Sequence, residues 1–250
     1  IHPACEGPAD GYGNAQAEPL HKKKMEQKNR VVDGAVLAMV LSFLGGIMDG
    51  YSYAVRGGVF ATGQTGNLVL VGYGFLNGNP LRSLKALVPI ISFWFGIFGA
   101  QHLLHKMEQS GKWKGQDHWK STVLMVEAVL LLVVGAIPAS VLDLIPNTLI
   151  SFMAAMQFCC FRQFGDNAAY ASVFCTGNMR SCAEMYYQGL VLKNSTALKK
   201  AYQYSGIILC FFAGAVFIIA ASRYWGVRTI WAGAGIALAG GILVHRFPGR

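Results

Sequence analysis

Charge is what this chain has least of. Only 13% of its 250 residues are Asp, Glu, Lys or Arg, while 54% are hydrophobic. A soluble helical protein shows polar faces along its helices, and the long apolar runs here carry none. Catalytic and metal signatures are missing too. No GxSxG, Walker-loop or HExxH pattern occurs, and the six cysteines include no CxxC pair. His102 and His105 stand three apart without a third ligand nearby, as at a helix end facing water. These absences exclude the corresponding hydrolases, nucleotide loops, zinc sites and a disulfide framework. The expectation is a protein that is not an enzyme and carries no metal or cofactor.

What remains is membrane-like. The runs 31–55, 84–104, 121–142, 144–161, 201–221 and 229–244 approach the ~20 residues that cross a bilayer. The first contains only two charges, Asp33 and Asp49. The formal charge of +9 is concentrated between these runs, a pattern of membrane topology rather than of nucleic-acid binding. Residues 1–30 form a polar tail ending in Lys22, Lys23, Lys24, Lys28 and Arg30, without an initiator Met or an apolar signal segment. Such a composition is disordered when alone. The expectation is a trimmed or organellar chain whose tail is held by other membrane-protein subunits.

Two tripeptides organise the rest. Thr65-Gly66-Asn67 and Thr176-Gly177-Asn178 each interrupt an apolar stretch. Glycine weakens a helix and Asn carries an amide that needs partners, so both sites predict irregular backbone. A matched break in each half is a pointer to a duplicated transport fold. Superposing the breaks aligns 31–55 with 144–161, 84–104 with 201–221, and 121–142 with 229–244. The predicted fold is an all-α integral membrane protein of about six transmembrane helices plus two broken or re-entrant ones. Its parts are the tail 1–30, a first repeat over 31–142 and a second over 143–250.

Segment 57–78 is short and glycine-rich, and 166–189 contains Asp166, Arg180 and Glu184, costly groups at mid-bilayer. With both segments re-entrant, each half crosses three times and the second repeat is inverted. Leaving aside the membrane-flanking Arg56, Arg162 and Arg180, that arrangement puts fourteen basic residues on the N-terminal side against four (Arg82, Lys85, Arg223 and Arg228) opposite. The positive-inside tendency therefore places the N-terminus on the cytoplasmic, matrix or stromal side. The membrane is expected to be an organellar inner membrane or a bacterial plasma membrane.

Several residues are candidates for a substrate or ion path. Asp49 lies deep in the first run among glycines and must be paired, protonated or open to a polar cavity. As a coupling-ion or proton site it carries function; as an ion-pair partner of Arg56 or Arg162 it is structural. Thr65, Asn67, Thr176 and Asn178 precede helix-compatible sequence and could cap helices whose positive ends point inward, with Gln64 beside the first. Gln157, Arg162, Arg180 and Glu184 come from the second half. Arg180 and Glu184 are four apart, a spacing that pairs them on one helix face. Glu127 in the fourth element is a further intramembrane ionisable group.

These residues also carry a resemblance. Gly46-Ile47-Met48-Asp49-Gly50, Gly58-Val59-Phe60 and Gln64-Thr65-Gly66-Asn67 with Gly72 resemble the first-half signature of the YoaK-type membrane proteins. Ala155-Met156-Gln157 and Cys175-Thr176-Gly177-Asn178-Met179 resemble the second. The resemblance covers roughly residues 35 to 245 and implies an uncharacterised, transport-related membrane protein. Phe158 stands where that family usually has Asn. Cys175, Met179, Arg180 and Glu184 stand where it is usually more apolar or hydroxyl-rich. Two functions follow as expectations. One is a small-molecule transporter with a midplane site at the Thr-Gly-Asn breaks; the other is a non-catalytic accessory subunit of a large organellar membrane complex.

Overall fold

The computed structural model describes residues 20–110, 117–164 and 168–246. They are mostly helical: α1 (Leu20–Val55), α2 (Gln64–Leu76), α3 (Pro80–Ser110), α4 (Asp117–Ala136), α5 (Leu144–Cys160), α6 (Thr176–Leu190), α7 (Ser195–Trp225) and α8 (Trp231–Arg246). A two-residue antiparallel pair, β1 (Gln163–Phe164) with β2 (Ala168–Ala169), lies between α5 and α6. Residues 1–19 of the expected tail, and Asp166, lie outside the described residues. The basic stretch after Leu20 belongs to α1, so the helix begins ahead of the apolar run at Val31.

Four stretches are long and apolar enough to cross a membrane: Gly34–Val55, Pro80–Lys106, Trp119–Ala136 and Ser195–Arg246. The last, at 52 residues, would be about 78 Å as one straight helix, far beyond a ~30 Å hydrocarbon core. It is interrupted at Gly226, whose φ of 53° leaves the helical region and opens a 3-10 turn, Gly226–Ile230. Leu144–Cys160 is apolar but shorter. The outward faces of α3 and α7 explain the hydrophobicity. Trp94, Phe98 and Phe212 are each about two-thirds exposed, an arrangement disfavoured in water but matched to lipid. Several apolar helices of this length and exposure make this a membrane protein.

Hydrogen bonds fix which helix ends lie together. Arg56, just past α1, donates to the carbonyls of Val134, Ile137 and Pro138 at the end of α4. Asn147 in the first turn of α5 donates to the Arg56 carbonyl, and Tyr51 donates to Val227 after α7. Lys85 of α3 pairs with Asp143 ahead of α5. The Trp231 indole at the start of α8 donates to Leu132 near the end of α4. So α1, α4 and α7 end, and α3, α5 and α8 begin, at one end of the bundle.

The principal helix pairs are α1 with α7, α3 with α5, α4 with α8, α2 with α3 and α6 with α7. Glycines set the closest of these crossings. At Gly46, any side chain would collide with the Phe211 carbonyl and the Ala215 amide of α7, and at Gly214 with the Phe43 carbonyl of α1. Gly50, four residues beyond Gly46, meets Ala215 and Ile218. Small residues at this spacing let backbones touch, which supplies packing where lipid offers no hydrophobic drive. Gly96 of α3 similarly rests on the Phe152 carbonyl of α5. The core lies where these crossings meet, around Leu44, Met48, Leu131, Ile150 and Ile218.

Candidate functional site

The site grows from the way the chain turns back after α1. Gly57 and Gly58 have φ of 88° and 73°, conformations open to glycine at little cost. They reverse the chain and send residues 59–63 back into the bundle. There the Ala61 carbonyl accepts from the Ser151 hydroxyl of α5, 2.7 Å away. The same hydroxyl lies 2.8 Å from the Pro89 carbonyl of α3. Residues seven and nine places into their helices stand about 10–14 Å from the helix starts, so α2 begins well inside the bundle. It then runs outward to pack on α3, where Gly74 lies against Ser83 and Asn79.

Asn67 explains how this turn is held. Its Oδ1 accepts the Phe60 amide at 2.9 Å and its Nδ2 donates to the Phe60 carbonyl, so one side-chain amide pairs with both backbone groups of a residue seven places earlier. Nδ2 also donates to Gln64 Oε1. Asn178 does the same before α6. It accepts from the Ala171 amide at 3.0 Å and donates to the Ala171 carbonyl at 2.8 Å, again seven places back. Only Asn combines an acceptor and a donor at this reach, since Asp has no N–H and Gln is one carbon longer. The glycines are not equivalent. A Cβ at Gly66 would sit 2.8 Å from the Phe60 ring, whereas Gly177 has open space. Thr65 and Thr176 are exposed, and neither helix has a side-chain hydrogen bond at its N-cap residue, Gly63 or Cys175.

The two turns meet. Thr62 Oγ1 donates to the Val173 carbonyl at 2.9 Å, joining residues 111 apart, the same separation as Asn67 and Asn178. Gly45 of α1 lies against the Ser172 carbonyl beside them. Asp49, one turn further along α1, turns its carboxylate to the start of α2. Oδ1 accepts the Thr62 amide at 2.8 Å and the Gly63 amide at 3.4 Å. An anion at a helix N-terminus satisfies orphan N–H groups and complements the positive end of the dipole. A single carboxylate thus lies at the start of α2, beside the turn that joins Val173.

Other sequence-selected residues are placed elsewhere. Asp49 makes no ion pair with Arg56 or Arg162 among the described residues. Arg56 is fully buried and committed to carbonyls at the end of α4, with Nε donating to the Tyr51 hydroxyl at 3.0 Å. A cation there complements the negative helix terminus. Gln64 joins the site, but its Nε2 donates to Ala61 and Ser151 and its Oε1 accepts from Asn67, so its amide is occupied. Arg162 is exposed beside β1. Arg180 and Glu184 form an exposed pair at 2.8 Å on α6, a screened contact of small worth. Gln157 is buried on α5 and donates to the Leu41 carbonyl at 3.2 Å.

The structure therefore gathers Asp49, Gln64 and Asn67 at the first turn and Asn178 at the second, the turns being joined through Thr62 and Val173; Thr65 and Thr176 are exposed at the two helix starts, and Arg56, Gln157, Arg162, Arg180 and Glu184 lie outside. It adds Thr62, Ser151 and Val173, which the sequence did not single out. Thr62 and Val173 share the spacing of the tripeptides, but a Thr–Val pairing carries no motif of its own. Among the described residues no group of three His, Cys, Asp or Glu side chains could hold a metal ion.

Residues 37–243 match a family model described as Protein of unknown function (DUF1275), and the chain belongs to that family. No curated protein and no solved structure matches it.

Proposed function

We propose that this member of a family of unknown function is a small-molecule transporter of YoaK type, built from two inverted repeats of three spans and one half-helix each. The observation that carries the reading is the meeting of Thr62 with Val173 at the inner starts of α2 and α6. Half-helices whose positive ends converge at mid-membrane bind the anionic or carbonyl groups of substrates in transporters. Here α2 is neutralised by Asp49, while the first turn of α6, at Thr176 and Gly177, has no side-chain acceptor among the described residues.

The repeat reading rests on direction and exchange. In this reading α1, α2, α3 and α4 correspond to α5, α6, α7 and α8. Equivalent helices run oppositely, since α1 ends where α5 begins, and α4 ends where α8 begins. Contacts exchange as a two-fold axis requires: α1 packs on α7 as α5 packs on α3, and α2 on α3 as α6 on α7. The pair α4–α8 lies on the axis, as does the Thr62–Val173 bond. With α5 and α8 as full spans, six crossings result.

In the mechanism, substrate enters between α2 and α6 and its acceptor group takes the free amides of α6. Asp49 sets the charge balance of the pocket. Rocking of one repeat against the other about the α1–α7 and α3–α5 crossings then exposes the pocket to either side. The test uses proteoliposomes containing the purified chain, incubated with a mixture of small metabolites, with trapped solutes identified by mass spectrometry. Wild type is expected to retain at least one solute that empty vesicles and the Asp49→Asn variant do not. Equal retention by all three would overturn the proposal.

A further inference from the structure

Glu127 is used by none of this. It lies near the middle of α4, about 15 Å from either end, and both its carboxylate oxygens are buried without a hydrogen-bond partner. Leu124 and Leu131, a turn to either side, belong to the two core clusters that α4 shares with α1 and α5. Across the α4–α5 seam, Cys160 shares a buried cluster with Leu124. One turn back from Cys160, on the same face of α5, stands Gln157. Its Nε2 is used by the Leu41 carbonyl, but its Oε1 is buried and has no donor.

We propose that Glu127 is a proton-binding site, holding its proton as a neutral acid within the α4–α5 seam and exchanging it when that seam opens. An ionised carboxylate left without a partner in an apolar span is strongly disfavoured. A proton converts it into a hydroxyl donor, the one kind of group the Gln157 oxygen lacks. The acceptors here are too few for a hard metal ion, which takes six or more oxygens by the habits of Ca2+ and Mg2+; a proton needs one. Binding is COO− plus H+ giving COOH, and release is the reverse, so no co-reactant is required.

The charged and titratable surroundings leave the proton as the neutralising partner. From α5 the titratable group in the adjoining cluster is Cys160. On α4 itself Lys120 lies two turns earlier. The described titratable groups of α8 are His245 and Arg246, in its last turn. In the 3-10 turn Arg228 is stacked over Trp231. On α1, Asp49 is held by the amides of Thr62 and Gly63. As the coupling group of a transport cycle Glu127 rests on the function proposed above; as a proton site it stands without it.

The test is difference infrared spectroscopy of the full chain in lipid vesicles through a pH titration, with Glu127→Gln and Glu127→Asp alongside. Wild type is expected to show a protonated-carboxyl band at neutral pH that disappears as the pH is raised. Glu127→Gln should lack that band entirely. Glu127→Asp, which keeps the acid should the amide variant fail to fold, should shift it. Identical wild-type and Glu127→Gln spectra would overturn the proposal, as would a Glu127 band that neither titrates nor responds to deuterium oxide. Loss of the band on adding sodium at fixed pH would replace the proton with a metal cation and also overturn it. Failed uptake with this band intact would reject transport and leave the proton site standing.

Discussion

At the scale of single residues, the Thr-Gly-Asn repeat divides into parts of unequal weight. The asparagines clamp Phe60 and Ala171 through paired hydrogen bonds, so Asn67→Asp and Asn178→Asp each remove a donor from a half-buried carbonyl. Each is expected to destabilise the protein by ~1–3 kcal/mol, read as a lower midpoint of thermal unfolding in detergent. The glycines separate further. Gly66→Ala drives a methyl into the Phe60 ring and should destabilise. Gly177→Ala meets nothing and should be neutral or stabilising by up to ~1 kcal/mol, the usual gain of Ala over Gly in a helix. Equal effects at the two positions would contradict this reading.

The same residues mark how far the sequence could be read. Asparagine inside an apolar run announces a need for partners, and that need was legible. Which backbone it would satisfy was not, because a seven-residue return depends on the path of the preceding turn. Threonine looked like a cap and is exposed at both sites. Asp49 and Arg56 are two turns apart on one helix, which suggested a pair. Each instead finds the end of another helix, and such partners are invisible to spacing along a single one.

At the scale of elements, the helices followed from apolar length, and their ends did not. The run at Val31 continues a helix begun at Leu20, since Lys, Glu and Gln are good helix formers and no glycine or proline intervenes. The residues between 201–221 and 229–244 read as a loop; they extend α7 to Trp225 and form a 3-10 turn, broken by the positive φ of Gly226. The contact of α1 with α7 depends on Gly46 and Gly214, each opposed by a backbone carbonyl. A backbone cannot give way as a flexible side chain can. Gly46→Leu is therefore expected to cost at least the ~1–3 kcal/mol of ordinary overpacking, seen as aggregation or loss of the folded peak in size-exclusion chromatography. Normal elution and stability would show that the helices do not cross there.

At the scale of the whole molecule, matched breaks suggest two halves, while the directions of the helices follow only from contacts between residues far apart in sequence. Those contacts gather the α2–α3 connection, the α4–α5 connection and the α7–α8 turn at one end. Cysteines placed at Asn79 and Ala139 should therefore be labelled from the same side of sealed vesicles, and one at Lys193 from the other. Labelling of all three from one side would contradict the arrangement.

The central claim is that the starts of α2 and α6 form a water-accessible pocket inside the membrane. Its most direct test is thiol labelling of Thr65→Cys and Thr176→Cys in a background with the native cysteines replaced, using a membrane-impermeant reagent on either side of sealed vesicles. Both positions are expected to react, far faster than a lipid-facing control at Leu68→Cys. Protection of both, at the rate of that control, would contradict the account.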